Sequence, residues 1–428
     1  MSKHAKTVGI IAEFNPFHNG HQYIMEQARH RTGAEHVIII MSGNYVQRGT
    51  PAILDKFLRT RMALLDGADC VIELPLCYAT ASANHFAMGA VALLSSLNCV
   101  DYLCFGSESG DLNSLNQIAD FFTDESESYQ TQLKHFLKLG LSFPAARQKA
   151  VSSCFSGEPE FFHLLGNPND VLALEYLTAL KKLHSKIQPI AIPRIGSLYH
   201  DTQITPMASA TAIRQSLLHC DSLHSYENLA NSIPSASREI LKDVLFSNQF
   251  LTIDDFSSLF LPLLFKKEDL SKYYDLSTDL AHRIEKLSNN FISLSQFTSM
   301  LKRKNFTYSS IQRSLLHCIL ELTQKEHDNF FSNGINYYIR VLGFRKEKSF
   351  LIKDLKKNAS LPVITRLSEY ENFFSPNHLQ QPDATSYNSL GFQMLQKERY
   401  ADKLYRNVLM LKKQAYVKTD SEQGVIIL

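Results

Sequence analysis

Apolar and polar positions along the first 200 residues follow two alternating periods. Short runs rich in Ile and Val are typical of buried strands, whereas apolar residues spaced three and four apart are typical of helices. The predicted strands are residues 8–13, 36–41, 70–75, 102–106 and 189–193. The predicted helices are residues 20–31, 56–67, 84–96, 168–184 and 209–218. This alternation predicts an α/β fold with a Rossmann-like parallel sheet that helices cover on both faces.

The alternation is interrupted once and then ends. Residues 108–163 are polar and helical in pattern, which indicates a helical insertion. A stretch rich in Ser and Asn at residues 219–237 indicates a boundary, and the patterns from there to about residue 415 are mainly helical. We therefore predict a first domain over residues 1–218 and a mainly α-helical C-terminal domain over residues 219–428.

Composition narrows the class of protein. Hydrophobic residues make up 44% and charged residues 20% of the 428 positions, as in ordinary folded proteins. The seven cysteines include no CxxC pair, which is typical of reduced thiols rather than of disulfides or zinc sites. Since no run approaches the roughly 18 apolar residues of a membrane span, we expect a cytoplasmic protein without a membrane partner.

The turn after the first predicted strand is the main candidate for chemistry. In "FNPFHNGH", His18 and His21 flank Gly20 where a strand ends and a helix begins. Ligands gather at the carboxyl ends of parallel strands, and the free N–H groups of a helix start favour phosphate. Two imidazoles there can donate hydrogen bonds to phosphate oxygens. The alternatives are two histidines that cap or pack the turn, or a metal-binding pair.

A second polar segment follows the last predicted strand. In "SATAIR", Ser209, Thr211 and Arg214 combine two hydroxyls, a helix start and a guanidinium, which suits an outgoing pyrophosphate. An ordinary helix with Ser209 as its N-cap explains this segment alone equally well. The presence of both segments in one predicted domain favours the phosphate-binding interpretation.

The two segments together resemble the nucleotidyltransferase superfamily, whose signature is (H/T)xGH near the N-terminus and a later (S/T)xxxxR-type segment. The resemblance implies a HUP-type nucleotidyltransferase domain that reacts ATP at the α-phosphate and releases pyrophosphate. The sequence has no KMSKS-like segment, which argues against a standard aminoacyl-tRNA synthetase. Ala208 and Ala210 stand where hydroxyl residues are common in the superfamily, which leaves fewer phosphate donors.

Longer stretches resemble one family, the bacterial tRNA(Met) cytidine acetate ligases. These stretches are "GIIAEFNPFHNGH", "MSGNYVQRGTPAILDKFLRTRMALLDGADCVIELP", "FGSE", "NPNDVLALEYL" and "IPRIGSLYHD". The resemblance implies that acetate and ATP give acetyl-adenylate, and that the acetyl group passes to the wobble cytidine of elongator tRNA(Met), giving N4-acetylcytidine. ATP is then a substrate that Mg²⁺ accompanies, and residues 1–218 form the catalytic domain.

The resemblance also implies site residues, with His18 and His21 as catalytic donors. The expected ATP contacts are Ile11, Ala12, Glu13, Phe14, Asn15, Pro16, Phe17, Asn19, Gly20, Gln22, Tyr23, Ile24, Gly106, Asn169, Arg194, Ile195, Ser209, Thr211 and Arg214. Gly106 is alternatively a turn glycine, and Asn169 a helix N-cap. Gln47 and Arg48 are expected to hold acetate or RNA, or to lie in a solvated loop. Lys56 is a candidate for phosphate contact.

The second half carries an excess of positive charge. Residues 302–357 contain 12 Lys and Arg against 5 Asp and Glu. The aromatic residues considered as candidates for stacking on bases are Phe306, Tyr308, Tyr337, Tyr338 and Phe344. This composition suits a phosphate backbone and stacked bases, although a solvated helix face over an aromatic core has the same composition. The family resemblance favours tRNA, and the residues expected to bind it are Lys302, Arg303, Lys304 and Arg313.

Two other functions are compatible with parts of the sequence. A cofactor adenylyltransferase, which joins AMP to a phosphorylated metabolite, would use both polar segments but leaves the helical half without a role. A non-catalytic RNA-binding protein on an ATP-site scaffold would not need to keep the histidines, the hydroxyls and Arg214. We expect tRNA, and not DNA, as the nucleic-acid partner.

Overall fold

The computed structural model of the protein describes residues 5–155, 163–195, 205–220, 222–247, 249–266, 268–367 and 384–428. The end of the predicted insertion, residues 156–162, lies outside the described residues, as does most of the segment "IPRIGSLYHD" from residue 196 onwards.

The described residues form one sheet of eight strands and a separate two-stranded hairpin. The strands of the sheet are β1 (Thr7–Ala12), β2 (His36–Ser42), β5 (Cys70–Leu74), β6 (Tyr102–Ser107), β7 (Gln188–Pro193), β8 (Ile339–Phe344), β9 (Val363–Ile364) and β10 (Ile426–Ile427). The hairpin consists of β3 (Tyr45–Val46) and β4 (Thr50–Pro51).

The first-half strands lie in the order β5-β2-β1-β6-β7, and neighbouring strands in this set are parallel. The chain builds outward from β1 through β2 and β5 on one side, and through β6 and β7 on the other. The strand order therefore reverses between β1 and β6, and open α/β sheets bind ligands at the carboxyl ends of strands at such a switch point. This arrangement confirms the predicted Rossmann-like parallel sheet.

The helices cover both faces of the sheet and build the second half. The helices of the first half are α1 (Asn19–Thr32), α2 (Lys56–Leu65), α3 (Leu76–Ala79), α4 (Ala83–Ser96), α5 (Leu112–Asp124), α6 (Glu127–Lys138), α7 (Phe143–Cys154), α8 (Pro168–Lys182) and α9 (Ala210–Leu218). Those of the second half are α10 (Leu223–Ala230), α11 (Ser235–Phe246), α12 (Ser257–Phe265), α13 (Thr278–Leu287), α14 (Leu294–Leu301), α15 (Tyr308–Ile319), α16 (Gln324–Ser332), α17 (Ser349–Asn358), α18 (Ala384–Lys413) and α19 (Asp420–Gln423).

Alternate residues of the central strands enter two different cores. On β2, Val37 and Ile39 pack with α1, α2 and α9–α11, whereas Ile38 and Ile40 pack with α4, α5 and α8. Because successive side chains of a strand point to opposite faces, the two cores lie on the two sides of the sheet. This double burial explains why "HVIIIM" is almost continuously apolar.

The second half is mainly helical, as predicted, but it also returns to the sheet. β8 pairs antiparallel with β5, and β9 and β10 each pair with β8. The sheet therefore crosses residue 218, the predicted domain boundary. Tyr337, Tyr338 and Phe344, noted among the possible RNA-facing aromatics, are instead buried in the core. That part of the sequence-based interpretation is wrong, since the run "YYIRVLGF" supplies a buried strand.

A third core joins the helical half to the loop after β2. Tyr45 of the hairpin packs with residues of α12–α15 and α18, including Tyr405. The hydroxyl of Tyr405 donates to the carbonyl oxygen of Ala52 at 2.9 Å, and the hydroxyl of Tyr45 donates to that of Ala401 at 3.0 Å. Helix α18 is thereby fixed beside the carboxyl ends of the strands. No helix in the described ranges has the length and apolar character needed to cross a membrane.

Candidate active site

The loop after β1 lies at the switch point of the sheet. β1 pairs with β2 on one side and with β6 on the other, so the loop from Glu13 to His18 opens beside the end of β6. Ile11 and Ala12, the last residues of β1, are half-buried at this edge. The polar residues that follow β1 are thus positioned where the fold binds ligands.

His18 and His21 cap the start of α1 together. Nδ1 of His18 accepts from the N–H of Gly20 at 3.0 Å, and Nδ1 of His21 accepts from the N–H of His18 at 3.2 Å. Because each Nδ1 is an acceptor, this bonding assigns the proton of each neutral ring to Nε2. The ring centroids lie 3.8 Å apart. Nδ1 of each histidine thus takes part in capping the helix. Nε2–H of each ring is a donor without a partner among the described residues.

Both histidines are neutral near pH 7. Burial, followed by the guanidinium groups of Arg194 and Arg214, lowers the pKa of His18 from 6.5 to about 3. Burial, followed by His18 and Arg194, lowers the pKa of His21 well below its usual value. The fixed positive charge of the site therefore comes from the arginines, while the imidazoles supply neutral donors. This combination suits the oxygens of a polyphosphate.

Aromatic packing fixes the ring of His21. The rings of Phe14 and Phe17 are buried, and their centroids lie 4.8 and 5.6 Å from that of His21. A Cβ atom at Gly20 would come within 2.8 Å of Cε1 of His18. The glycine between the histidines is therefore required by the position of the His18 ring.

The segment "SATAIR" meets the histidine loop, as the sequence predicted. Nη1 of Arg214 donates to the carbonyl oxygen of Asn15 at 2.6 Å, and its Nη2 donates to Oγ1 of Thr211 at 3.1 Å. Oγ of Ser209 accepts from the N–H of Ala212 at 3.1 Å, which makes Ser209 the N-cap of α9. The structure thus gives Ser209 the capping role that the sequence left open.

The side chains of two asparagines in this region form hydrogen bonds with backbone groups. Nδ2 of Asn19 donates to the carbonyl oxygens of Pro206 and Asn231, at 2.7 and 2.9 Å. Oδ1 of Asn15 accepts from the N–H of Ile53 at 2.8 Å. These side chains, expected to contact ATP, fasten the loop to its surroundings in the structure.

The end of β6 forms the opposite side of the switch point. A Cβ atom at Gly106 would lie 3.2 Å from Cδ1 of Ile24 and 3.5 Å from Cγ of Arg194, so α1 and Arg194 both approach this glycine closely. Arg194 follows β7 and, with Ile195, is exposed. Arg194 and Gly106 are therefore neighbours, as the expectation of a shared nucleotide site requires.

Helix α8 begins at the same edge. Its N-cap is Asn167, so Asn169 lies in the first turn and is not the N-cap. Nδ2 of Asn169 donates to Oε1 of Glu108 at 2.6 Å, and Oε2 of Glu108 accepts from the N–H of Asp170 at 2.9 Å. Glu108, the acidic residue of "FGSE", thus binds the helix start that the sequence considered for ligand binding.

Sequence reasoning did not single out Arg59. This arginine is fully buried, and its Nη1 donates to the carbonyl oxygens of Glu13 and Ser42, at 2.6 and 3.0 Å. Its Nη2 donates to the carbonyl oxygen of Gly43. Oε1 of Glu13 also accepts from the N–H of Gln47 at 2.7 Å. Arg59 therefore ties the loops after β1 and β2 together, and the segment "KFLRTRMALL" has no local sign of these partners.

Lys56 does not face the candidate phosphate site. Its Nζ is buried and donates to Glu73, Asp402 and Asp420, at 2.9, 2.6 and 2.8 Å. Although burial opposes it, these carboxylates hold the pKa of Lys56 well above its usual value. The prediction of phosphate contact is wrong, because Nζ of Lys56 is bound to these three carboxylates instead. Two of them come from α18 and α19, which lie too far along the chain to be recognised as partners from sequence.

The other expected contacts surround the loop. Pro16 is buried, and Gln22, Tyr23 and Ile24 are half-buried on α1. Arg48 is exposed. Burial lowers the pKa of Arg214, and the charge of Arg48 also lowers it. Arg48 therefore adds positive charge near Arg214.

The residues expected to bind tRNA divide into two groups. Lys302, Arg303 and Lys304 follow α14 and are exposed. Arg313 is buried, and its Nε donates to Oδ2 of Asp275 at 2.8 Å. The guanidinium of Arg313 is thus committed to a contact within the helical half.

A family model and curated relatives match most of the chain. The model described as HIGH Nucleotidyl Transferase matches residues 5–421. A tRNA(Met) cytidine acetate ligase of a Thermoanaerobacter species is 39% identical over 390 residues, which cover 90% of this chain and 95% of the relative. The enzyme of the same name from Acetivibrio thermocellus is 34% identical over 99% of this chain and 100% of the relative.

Solved structures show the same fold. The crystal structure of Thermotoga maritima TmcAL bound with alpha-thio ATP matches with a TM-score of 0.89 and 31% identity, covering 99% of both chains. The apo form of that protein matches with a TM-score of 0.90. The histidines at the switch point agree with these matches, which extend over most of the chain. The chain therefore belongs to the tRNA(Met) cytidine acetate ligase family of HIGH nucleotidyl transferases.

Proposed function

We propose that this protein forms acetyl-adenylate from acetate and ATP, and then acetylates the wobble cytidine of elongator tRNA(Met) to N4-acetylcytidine. The relatives named above support the substrate assignment, and the ATP-analogue complex of the Thermotoga protein supports ATP as the nucleotide. A tRNA acceptor agrees with a cytoplasmic location.

In the first step, a carboxylate oxygen of acetate attacks the α-phosphorus, and the bond from that phosphorus to the bridging oxygen breaks as pyrophosphate leaves. Negative charge grows on the phosphate oxygens and on the leaving group. The Nε2–H groups of His18 and His21 would donate to these oxygens, while Arg194 and Arg214 supply fixed positive charge. The paired neutral donors beside the arginines are the observation that carries the proposal.

In the second step, the exocyclic amine of cytidine attacks the acetyl carbonyl carbon, AMP leaves, and the amine loses a proton. The acceptor must reach the adenylate at the carboxyl ends of β1 and β6. Lys302, Arg303 and Lys304 are exposed cations suited to RNA phosphates, and we retain them as proposed tRNA contacts.

Mg²⁺ is proposed only as a companion of ATP. Among the described residues, no group of three or more His, Cys, Asp or Glu forms a metal site. Mg²⁺ usually reaches such sites through substrate phosphates with one or two carboxylates. The ion is therefore assigned to the phosphates of the bound nucleotide, and neither of the two steps is routed through it.

The test is to incubate the purified protein with ATP, Mg²⁺, acetate and unmodified tRNA, and then to measure N4-acetylcytidine by mass spectrometry of the digested RNA. Product that depends on acetate supports both steps. Acetate-dependent ATP–pyrophosphate exchange without product would keep the first step and reject cytidine as the acceptor. The absence of both signals would reject the proposal and direct the search to phosphorylated metabolites as acceptors of AMP.

A further inference from the structure

A cavity lies outside the histidine site. It has a volume of about 450 Å³, is open to solvent on one side, and is lined by residues of α2, α18 and the segment from Tyr416 to Gln423. We call it the C-terminal cavity. Its volume falls within the range of about 300–1,000 Å³ that is typical of ligand-binding pockets. Neither the histidine pair nor the "SATAIR" segment lines it.

The charged lining of the C-terminal cavity is mainly basic. The basic residues are Lys56, Arg61, Arg399, Lys403, Arg406, Lys413 and Lys418, against the acidic residues Asp55, Asp402 and Asp420. The carboxylates have partners within the protein. Asp55 caps α2 by accepting from two backbone N–H groups, and Asp402 and Asp420 both bind Lys56.

The remaining cations are not neutralised in the same way. Within the described part of the chain, Arg61, Lys403, Lys413 and Lys418 have no ion-pair partner. Arg61, Lys403 and Lys418 are exposed and Lys413 is half-buried, so their charged groups are available to an anionic ligand. Cations that converge on one cavity from two helices and a loop suit several phosphates in succession.

An exposed aromatic ring completes the lining. Tyr416 is 61% exposed, and the guanidinium carbon of Arg406 lies 5.0 Å from its ring centroid. Nε of Arg406 donates to the carbonyl oxygen of Val417 at 2.6 Å, which fixes the arginine beside the ring. Aromatic rings among basic residues bind unstacked bases of single-stranded nucleic acid.

The cavity is linked to the catalytic loop through the loop after β2. Asn44 lines it, and Nδ2 of Asn44 donates to Oδ1 of Asp402 at 2.8 Å. The neighbouring Gly43 and the more distant Glu13 both accept from Arg59. The cavity wall and the histidine loop therefore follow adjacent parallel strands, which lie roughly 5 Å apart in a sheet.

We propose that the C-terminal cavity binds a segment of the RNA acceptor, with phosphates on Arg61, Lys403, Lys413 and Lys418 and an unstacked base on Tyr416. This inference rests on the proposed function for the identity of the RNA. It adds a second surface for the phosphate backbone to the one proposed at Lys302–Lys304, and this second surface includes the loop after β2, the strand next to β1.

The test measures tRNA binding by the full chain at several salt concentrations. The triple variant K403Q/K413Q/K418Q should weaken binding. The negative slope of log K against log salt should become shallower, by about 2–3. The matched control K134Q/K138Q/K186Q removes three lysines on the side of the insertion and of the loop before β7, and should leave the slope unchanged. Acetate-dependent ATP–pyrophosphate exchange should be equal in all three proteins.

A second pair of variants tests the ring. Y416A should weaken tRNA binding about fivefold or more, as expected for the loss of one stacked base, whereas Y416F should bind normally. Because Oη of Tyr416 donates to the carboxylate of Glu422, Y416F separates loss of the ring from loss of that contact.

Several results would overturn the inference. An unchanged slope in K403Q/K413Q/K418Q would do so, as would a slope that changes only in K302Q/R303Q/K304Q. Stabilisation of the wild type by inorganic phosphate that the first triple variant loses, without a change in tRNA binding, would identify a small-anion site instead. These binding results are independent of acetyl transfer, so a wild type that binds tRNA but makes no N4-acetylcytidine rejects the proposed function and not the cavity.

Discussion

Arg214 donates a hydrogen bond of 2.6 Å to the carbonyl oxygen of Asn15, a residue 199 positions earlier in the chain. Burial and Arg194 lower the pKa of His18, and the guanidinium of Arg214 lowers it further. The two segments that the sequence suggested for phosphate binding therefore form one unit, and a change in either one affects the geometry of the other.

Replacing His18 by Asn tests the division of labour within the ring. The asparagine side chain is a good N-cap and can accept from the N–H of Gly20 in place of Nδ1, but it lacks the Nε2–H donor. We expect acetate-dependent ATP–pyrophosphate exchange to fall by about 10²–10³-fold, as for the loss of one transition-state donor. The free energy of unfolding at pH 7.5 should equal that of the wild type. Unimpaired exchange would show that His18 serves only as a cap.

Replacing His21 by Ala separates chemistry from RNA binding. The variant loses a neutral donor and the contact with the N–H of His18. Exchange should be abolished while tRNA affinity stays within about twofold, because the rates depend on transition-state contacts and RNA affinity on distant cations. Parallel loss of exchange and tRNA binding would assign the histidine a structural role.

The depressed pKa of His18 makes stability depend on pH. Its value of about 3 in the folded protein lies below the usual 6.5, so between these pH values the unfolded chain binds more protons. The stabilisation linked to neutral His18 is fully present above pH 6.5, and it is lost progressively as the pH falls towards 3. From pH 7.5 to 5 it should lower the free energy of unfolding by about 2 kcal/mol. Urea unfolding at both pH values should show a smaller decrease for His18→Asn, and equal decreases would contradict the assignment.

Replacing Gly20 by Ala should reduce activity without reducing stability. The new Cβ would lie 2.8 Å from Cε1 of His18 and force the ring to move. Alanine favours a helix over glycine by about 1 kcal/mol, which offsets the local crowding. We therefore expect exchange to fall at least about tenfold, with a thermal midpoint near that of the wild type. Activity equal to the wild type would mean that the ring position is not critical.

Replacing Lys56 by Met should destabilise the protein by about 3–5 kcal/mol, because it leaves the buried acidic side chains of Glu73, Asp402 and Asp420 without their cation. Burial already raises the pKa of Asp402 to about 8 even with Lys56 present. The destabilisation should therefore become smaller at lower pH, where protonation removes the uncompensated charge. The matched control Lys272→Met removes an exposed pair with Glu268 and should change stability by less than about 1 kcal/mol.

Local patterns were sufficient to predict the parallel sheet, the helices on its faces and the meeting of the two polar segments. The predicted helix at residues 209–218 corresponds to α9 with Ser209 as its cap. Strand β8 was missed because its partner β5 lies about 270 positions earlier, and a short apolar run among lysines has no local sign of that pairing. Tertiary context decided its structure.

The same limit applies within the candidate site. Nothing in "KFLRTRMALL" shows that Arg59 will find the carbonyl oxygens of two loops, or that Lys56 will find carboxylates far along the chain. Burial of a charged residue depends on groups that only the folded chain brings together. Sequence reasoning therefore located the histidine loop but not the contacts that hold it in place.

The ion pairs of Lys56 also set an order of events during synthesis. Asp402 and Asp420 follow Lys56 by 346 and 364 positions, so at roughly 5–20 residues per second the ribosome needs about 20–70 s to supply them. Throughout that interval Glu73 is the only one of its three acidic partners already made. The buried ion-pair cluster of Lys56 can therefore be completed only after the segment that carries Asp402 and Asp420 has left the exit tunnel, and until then Lys56 lacks two of its three acidic partners.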